Sequence, residues 1–273
     1  MSRRSFAGKV VLISGAAGGL GSALCRRYAA AGAHIAAMDI DAERLDGLAA
    51  SLRAQGSEAL ALPGDITAAP DCKAAVAATL ARFGTLYGLV NNAGISHRSL
   101  LQHTDPAVIR RVMEVNFFGA LNLTHAALPH ISAQRGVIAA ISSVAGYAPL
   151  IGRTGYAASK HALHGFFDSL RSEVEDAGVG VTLVCPSFIR TGIGAAGLGG
   201  DGAAASSPRI TSGGESAAED IAERIFAAVA DDRRLLLPDR TSRLAWWLSR
   251  LAPAVYARAM KRGVGAEFES TPR

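Results

Sequence analysis

The 273-residue sequence predicts an α/β protein: a doubly wound parallel sheet of seven strands with helices on both faces. Three observations carry this. Short apolar runs recur along the chain, segments of helical period separate most of them, and the first run ends in a glycine-rich turn. Strand alternating with helix is the pattern of a parallel sheet. Runs that are apolar almost throughout, rather than alternating, belong to strands covered on both faces.

In order, the expected strands are Val10–Ser14, Ile35–Met38, Ala59–Leu62, Gly88–Val90, Val137–Ile141, Val181–Cys185 and Leu235–Leu237. Helical period marks Leu20–Ala31, Ala42–Arg53, Cys72–Phe83 and Val108–Leu128, and resumes near Thr154. With 49% of residues apolar and no linker before residue 190, residues 1–239 read as one domain. Residues 191–216 are rich in Gly, Ala and Ser without apolar period, which predicts a mobile loop over the substrate.

Residues 240–273 form a basic extension, with seven basic residues (Arg240, Arg243, Arg250, Arg258, Lys261, Arg262, Arg273) against Glu267 and Glu269. That excess equals the whole net charge of +5, so residues 1–239 balance to zero and no nucleic-acid partner is expected. Leu244, Trp247, Leu248, Leu251 and Val255 share one helical stripe, which Pro253 should interrupt. Such a stripe packs on the core, on a sister subunit or over a pocket, or lies on an anionic membrane surface, and packing is the commoner fate. No run approaches the roughly 20 apolar residues of a membrane span. The N-terminus does not read as a signal peptide, and Cys25, Cys72 and Cys185 show no disulfide or metal spacing. A reducing, cytoplasmic setting is the expectation.

The turn Ser14-Gly15-Ala16-Ala17-Gly18-Gly19-Leu20-Gly21 leaves a strand and opens a helix. In that context glycines let the backbone approach a pyrophosphate held at the helix N-terminus, which makes the fold Rossmann-type. Asp39, at the end of the second strand, suits the adenosine ribose hydroxyls and repels a 2′-phosphate, and no cation stands nearby in sequence to hold one. NAD is therefore expected rather than NADP. Asp65 suits either the adenine or a turn. Asn91-Asn92-Ala93-Gly94 follows the fourth strand, and Asn116 sits inside a helical stretch where asparagine needs a reason. Tyr156 and Lys160 stand four apart on one helix, so their side chains leave the same face. An ammonium beside a phenol favours the phenolate and lowers its pKa from about 10, which suits a general acid and base.

With these pieces in order, the chain resembles the short-chain dehydrogenase/reductase (SDR) family over roughly residues 6–192, more weakly to about 238. The family's glycine motif appears as Ser14-Gly15-x-x-x-Gly19-x-Gly21, with Ala17 and Leu20 inside it and serine where threonine is commoner. Its adenine-side aspartate falls on Asp65, next to Ile66, and its Asn-Asn-Ala-Gly motif on residues 91–94. Its catalytic residues fall on Asn116, Ser143, Tyr156 and Lys160. After the sixth strand, Pro186 is followed by Ser187 where the family usually has glycine, while Ile189 and Thr191 keep the positions that face the nicotinamide carboxamide.

The resemblance implies reversible hydride transfer between a nicotinamide and a secondary alcohol or ketone. Tyr156 would move the proton, Lys160 would lower its pKa and hold the ribose, and Ser143 would stabilise charge on the reacting oxygen. Asn116 would hold a water linking Lys160 to solvent. Ser143, Ala145, Leu150, Tyr156 and Phe188 are the expected substrate contacts, with an apolar balance that suits a hydrophobic substrate. Helix pairs near residues 105–130 and 154–177 imply a homotetramer or homodimer. The alternatives are an NADPH-dependent 3-ketoacyl or other biosynthetic ketoreductase, and a non-catalytic dinucleotide-binding sensor or scaffold.

Overall fold

A computed structural model describes residues 3–190, 197–205 and 214–264. The strands are β1 (Val10–Ser14), β2 (His34–Asp39), β3 (Ala59–Pro63), β4 (Gly88–Asn91), β5 (Val137–Ile141), β6 (Gly180–Val184) and β7 (Leu235–Leu236). They form one parallel sheet in the order β3-β2-β1-β4-β5-β6-β7. Each expected strand is present. Ends differ by one residue, where ladder pairing outruns the apolar run, as with His34 opposite Val10 and Asp39 opposite Pro63, or stops short of it, as at the ends of β6 and β7.

Helices α1 (Gly19–Ala30), α2 (Ala42–Ala54), α3 (Ala69–Phe83), α4 (Pro106–Met113), α5 (Gly119–Ala133), α6 (Thr154–Val174) and α7 (Ala218–Ala230) cover the sheet, and α8 (Arg240–Leu251) and α9 (Pro253–Val264) follow. Pro253 opens α9, so the expected interruption is there. The stretch read as one helix over Val108–Leu128 is instead α4 and α5 joined by a π-helical turn, Glu114–Phe118, with Asn116 buried at its centre.

Alternation along β1 sorts the core. Val11 and Ile13 join a cluster with Leu24 and Tyr28 of α1, Leu45 of α2 and Ile225 of α7. Val10 and Leu12 join the opposite cluster with Val76 of α3, Leu123 of α5 and Phe167 of α6. Burial of one such side chain contributes about 2 kcal/mol. Strands β2 and β3 lie to one side of β1, and β4 to β7 to the other. Connections therefore leave β1 and β4 in opposite directions, and a crevice opens at their carboxyl ends.

Part of the stretch expected to be a mobile loop is held by backbone hydrogen bonds. Residues 191–196 and 206–213 lie outside the described residues, but 197–205 are docked on the loop after β4. Arg98 N donates to Leu198 O at 2.7 Å, Leu198 N to Ser96 O at 2.8 Å and Asp105 N to Gly200 O at 2.8 Å. A Cβ at Gly200 would lie 1.8 Å from His103 O, so the small residues there serve close backbone approach.

Candidate active site

The glycine turn is closed by backbone against backbone. Gly15 has φ 65°, and a Cβ on it would sit 2.7 Å from Ala93 Cα. A Cβ on Gly21 would sit 2.0 Å from Gly15 O. Asn92 stitches the end of β4 to this turn, its Nδ2 donating to Ser14 O (3.0 Å) and Gly15 O (3.1 Å). Ser14 Oγ accepts from Asn92 N (3.1 Å) and Ala93 N (3.2 Å), which is what the hydroxyl at this motif position does. Gly18, at the N-cap of α1, provides no side-chain acceptor, so the first N–H groups of α1 are uncapped.

These groups border a cavity of about 550 Å³ lined by Gly15, Gly19, Leu20, Asp39, Asp65 and Ile66, with Asn92, Ala93 and Gly94 on its floor. Asp39 anchors as well as lines it: Oδ2 accepts from Ala17 N at 2.9 Å and Oδ1 from Asp41 N at 3.1 Å. Asp41 caps α2, accepting from Arg44 N. Asp65 is a turn residue, accepting from Thr67 N at 2.8 Å, and it also lines the cavity. Arg111 and Glu114 also line it and were not legible in sequence, because only the fold carries α4 to this wall. An uncapped helix end, a glycine floor and a carboxylate at the far side fit a dinucleotide.

Leu20, Asn92, Gly94 and Ile95 line this cavity and also a smaller compartment of about 100 Å³, whose other walls include Ser143, Tyr156, Lys160, Pro186 and Ile189. Lys160 is buried; its Nζ donates to Ile141 O at 2.8 Å and lies 5.7 Å from the Tyr156 ring centre. Burial pushes its pKa down to about 8. Ser143 Oγ accepts from Ala145 N at 3.2 Å, and a hydroxyl that accepts keeps its proton to donate.

Asn116 explains the π turn. Its Oδ1 accepts from Ile95 N (2.8 Å), and its Nδ2 donates to Ile95 O (2.9 Å) and Ser159 Oγ (2.9 Å). Asn116 thus clamps the backbone beside Gly94. A π-helical turn re-aims such a side chain without ending the helix.

Behind the site lies a layer that sequence did not reveal. Ser142 Oγ donates to Lys160 O (3.3 Å) and pairs with His164 Nε2 (3.1 Å), which also meets Cys185 Sγ at 3.4 Å. Burial lowers the His164 pKa to about 4 and raises that of Cys185 to about 12. The substitution of Ser187 for glycine costs nothing in backbone strain, since the positive-φ non-glycine residues among those described are Arg135 and Asp232. Ser187 N donates to Asp239 Oδ2 at 3.0 Å, and Val144 N to Pro186 O at 3.1 Å. Thr191 lies outside the described residues. Ile189 is held by its bridge to Ser216.

Ser143 and Ser187 open in turn on a chamber of about 280 Å³ lined by Val144, Leu150, Phe188, Leu248, Tyr256 and Met260 among others. Leu150 and Phe188 stand where expected. Ala145 does not: it is fully buried inside the turn after Ser143, and Val144 takes its place on the wall. Among the described residues, no ionisable side chain other than Tyr256 lines the chamber. The extension thus caps the pocket through α8 and α9. Asp239 N-caps α8 (Ser242 N to Oδ1, 2.7 Å), Tyr147 Oη donates to Ser242 O at 2.6 Å, and Tyr147 packs edge-on against Trp246 at 4.9 Å.

Comparison with known proteins agrees with this arrangement. A family model described as short chain dehydrogenase matches residues 9–197. The chain is 36% identical over 266 residues to the Anopheles gambiae dehydrogenase/reductase SDR family protein 7-like, covering 95% of this chain and 84% of that one. It is 35% identical over 268 residues to mouse dehydrogenase/reductase SDR family member 7B, covering 96% and 83%. A crystal structure of a short chain dehydrogenase/reductase from Burkholderia phymatum in complex with NAD superposes with a TM-score of 0.79 at 26% identity, over 99% of both chains. The sheet order, the glycine turn and the Ser143, Tyr156 and Lys160 constellation have one common explanation: the chain belongs to the short-chain dehydrogenase family.

Proposed function

We propose that the protein is an NAD-dependent oxidoreductase that interconverts an apolar secondary alcohol and its ketone, with Tyr156 as general acid and base. One observation carries the reading. The dinucleotide cavity, the compartment of Ser143, Tyr156 and Lys160, and the apolar chamber share walls in sequence, the first two through Asn92 and Gly94 and the last two through Ser143 and Ser187. The cofactor, when bound, supplies or accepts the hydride. The chain's residues do the rest. Tyr156 gives its phenolic proton to the forming alkoxide or takes it from the alcohol, Lys160 stabilises the phenolate, and Ser143 donates to the reacting oxygen. Asp39 faces the adenosine ribose and disfavours a 2′-phosphate. Three free buried cysteines accord with a cytoplasmic setting, and exposed Phe118 beside α5 accords with assembly into a homodimer or homotetramer.

Titration of NADH and NADPH against wild type and Asp39→Asn tests the cofactor, since asparagine removes the charge while keeping an acceptor for Ala17 N. NADH should bind more tightly to wild type, with the preference reduced in the variant. An NADPH preference would move the assignment to a biosynthetic ketoreductase. On apolar ketones, Tyr156→Phe should bind cofactor normally while kcat falls by about 10² to 10⁴-fold. Binding without turnover in wild type, across such ketones, would favour a sensor instead.

A further inference from the structure

The outer face of the C-terminal helices is unlike the rest of the surface. Leu244, Trp247, Leu251 and Val255 are 60%, 61%, 76% and 53% exposed, and they make up most of the exposed large hydrophobic residues among those described. The inward face of α8 is instead formed by Ser242, Ala245 and the half-buried Trp246. Of the apolar stripe of the sequence, Leu244, Trp247, Leu251 and Val255 therefore point away from the core, while Leu248 is half-buried and lines the chamber. Residues 240–264 also carry Arg240, Arg243, Arg250, Arg258, Lys261 and Arg262 with no Asp or Glu. On α8, Arg240 and Arg243 stand at helical spacing from Leu244, Trp247 and Leu251, so cations flank the apolar stripe. Leu244 and Ala259 are exposed and also line the chamber, which places the chamber's mouth at the edge of this same face.

We propose that the α8–α9 face seats the protein on an anionic bilayer surface, with Leu244, Trp247, Leu251 and Val255 entering the interface and the chamber mouth turned toward the lipid. Charge decides between the candidate occupants. An apolar stripe flanked by arginine and lysine matches a headgroup layer of negative charge. Pairing two copies through this face would instead bring the cations of one copy's α8 and α9, Arg240 and Arg243 among them, against those of the other. Among the described residues no helix is long and apolar enough to cross a membrane, so the contact lies in the interface plane. An apolar substrate partitioned into the bilayer would then enter the chamber without crossing water. The docking claim rests on the exposed face alone, and its assay needs no turnover, so it stands or falls apart from the proposed reaction.

Flotation of the full chain with phosphatidylcholine vesicles, and with vesicles of phosphatidylcholine and phosphatidylserine, tests it. Binding should appear on the anionic vesicles and weaken as salt is raised. Arg243→Ser with Arg258→Ser should weaken it by about thirtyfold, from about tenfold in affinity per 1.4 kcal/mol and one such interaction of about 1 kcal/mol per cation. Trp247→Ser with Leu251→Ser should abolish flotation while leaving NADH affinity unchanged. Equal binding to neutral and anionic vesicles, or no binding by wild type at low salt, overturns the proposal without relying on any variant. A fall in oligomer mass on light scattering in the Trp247, Leu251 variant also overturns it, by assigning the face to a second copy.

Discussion

Lys160 is held in a setting that costs it charge. Its ammonium is buried, donates to Ile141 O at 2.8 Å, and has a pKa lowered to about 8. In the proposed reaction the charged form is what stabilises a Tyr156 phenolate, so the group would leave its useful state as pH rises through about 8. The pH profile of ketone reduction should therefore fall above that point. Lys160→Met should be slow throughout and lack the descending limb. A wild-type profile that stays flat to well above 8 would show that bound cofactor keeps the lysine charged. Tyr156 and Lys160 were legible in sequence because four-residue spacing on a helix fixes a shared face whatever surrounds it. The depressed pKa was not, because it comes from burial by strands far away in the chain.

Among the elements, α8 shows how a cap can act at a distance. Asp239 accepts from Ser242 N through one oxygen and from Ser187 N through the other. Asp239→Ala should cost about 1 to 2 kcal/mol of unfolding free energy by loss of the cap and of the second bond. It should also raise KM for an apolar ketone, with NADH affinity little changed, as read by urea unfolding and steady-state kinetics. Apolar runs marked the strands well because β1, β4, β5 and β6 are buried along their whole length and β2 along all but its ends. The π turn around Asn116 was hidden, since its reason is the Ile95 backbone, which approaches only in the folded chain. Helix α7 has no place among the expected helices, since it starts just beyond the Gly-, Ala- and Ser-rich stretch. The stripe on α8 was found by its period, but period alone could not say which face turns inward.

Across the whole molecule, two neutral histidines link stability to acid. His97 is fully buried with neither ring nitrogen hydrogen-bonded among the described residues, and burial with the nearby Arg153 lowers its pKa from 6.5 to about 4. His164 is lowered to about 4 by burial too, with His161, Arg250 and Lys160 adding to the shift and Asp168 opposing it. Between pH 6.5 and about 4 the unfolded chain binds these protons and the folded one resists them. Stability should be full above 6.5 and fall as pH drops toward 4, with a shallower fall in His164→Gln. A Tm that does not change across that window would show that both rings find partners in solution.

Among the described residues, none after Asp239 lines the dinucleotide cavity or the compartment of Ser143, Tyr156 and Lys160, whereas the chamber draws a large part of its wall from that stretch. On the proposed function, part of what selects the substrate is thus written downstream of Asp239, apart from the residues that would carry out the reaction, while Leu150 and Phe188 supply the rest of that wall from within the core. Drift or recombination downstream of this one aspartate would then reshape the chamber while the compartment of Ser143, Tyr156 and Lys160 is inherited untouched.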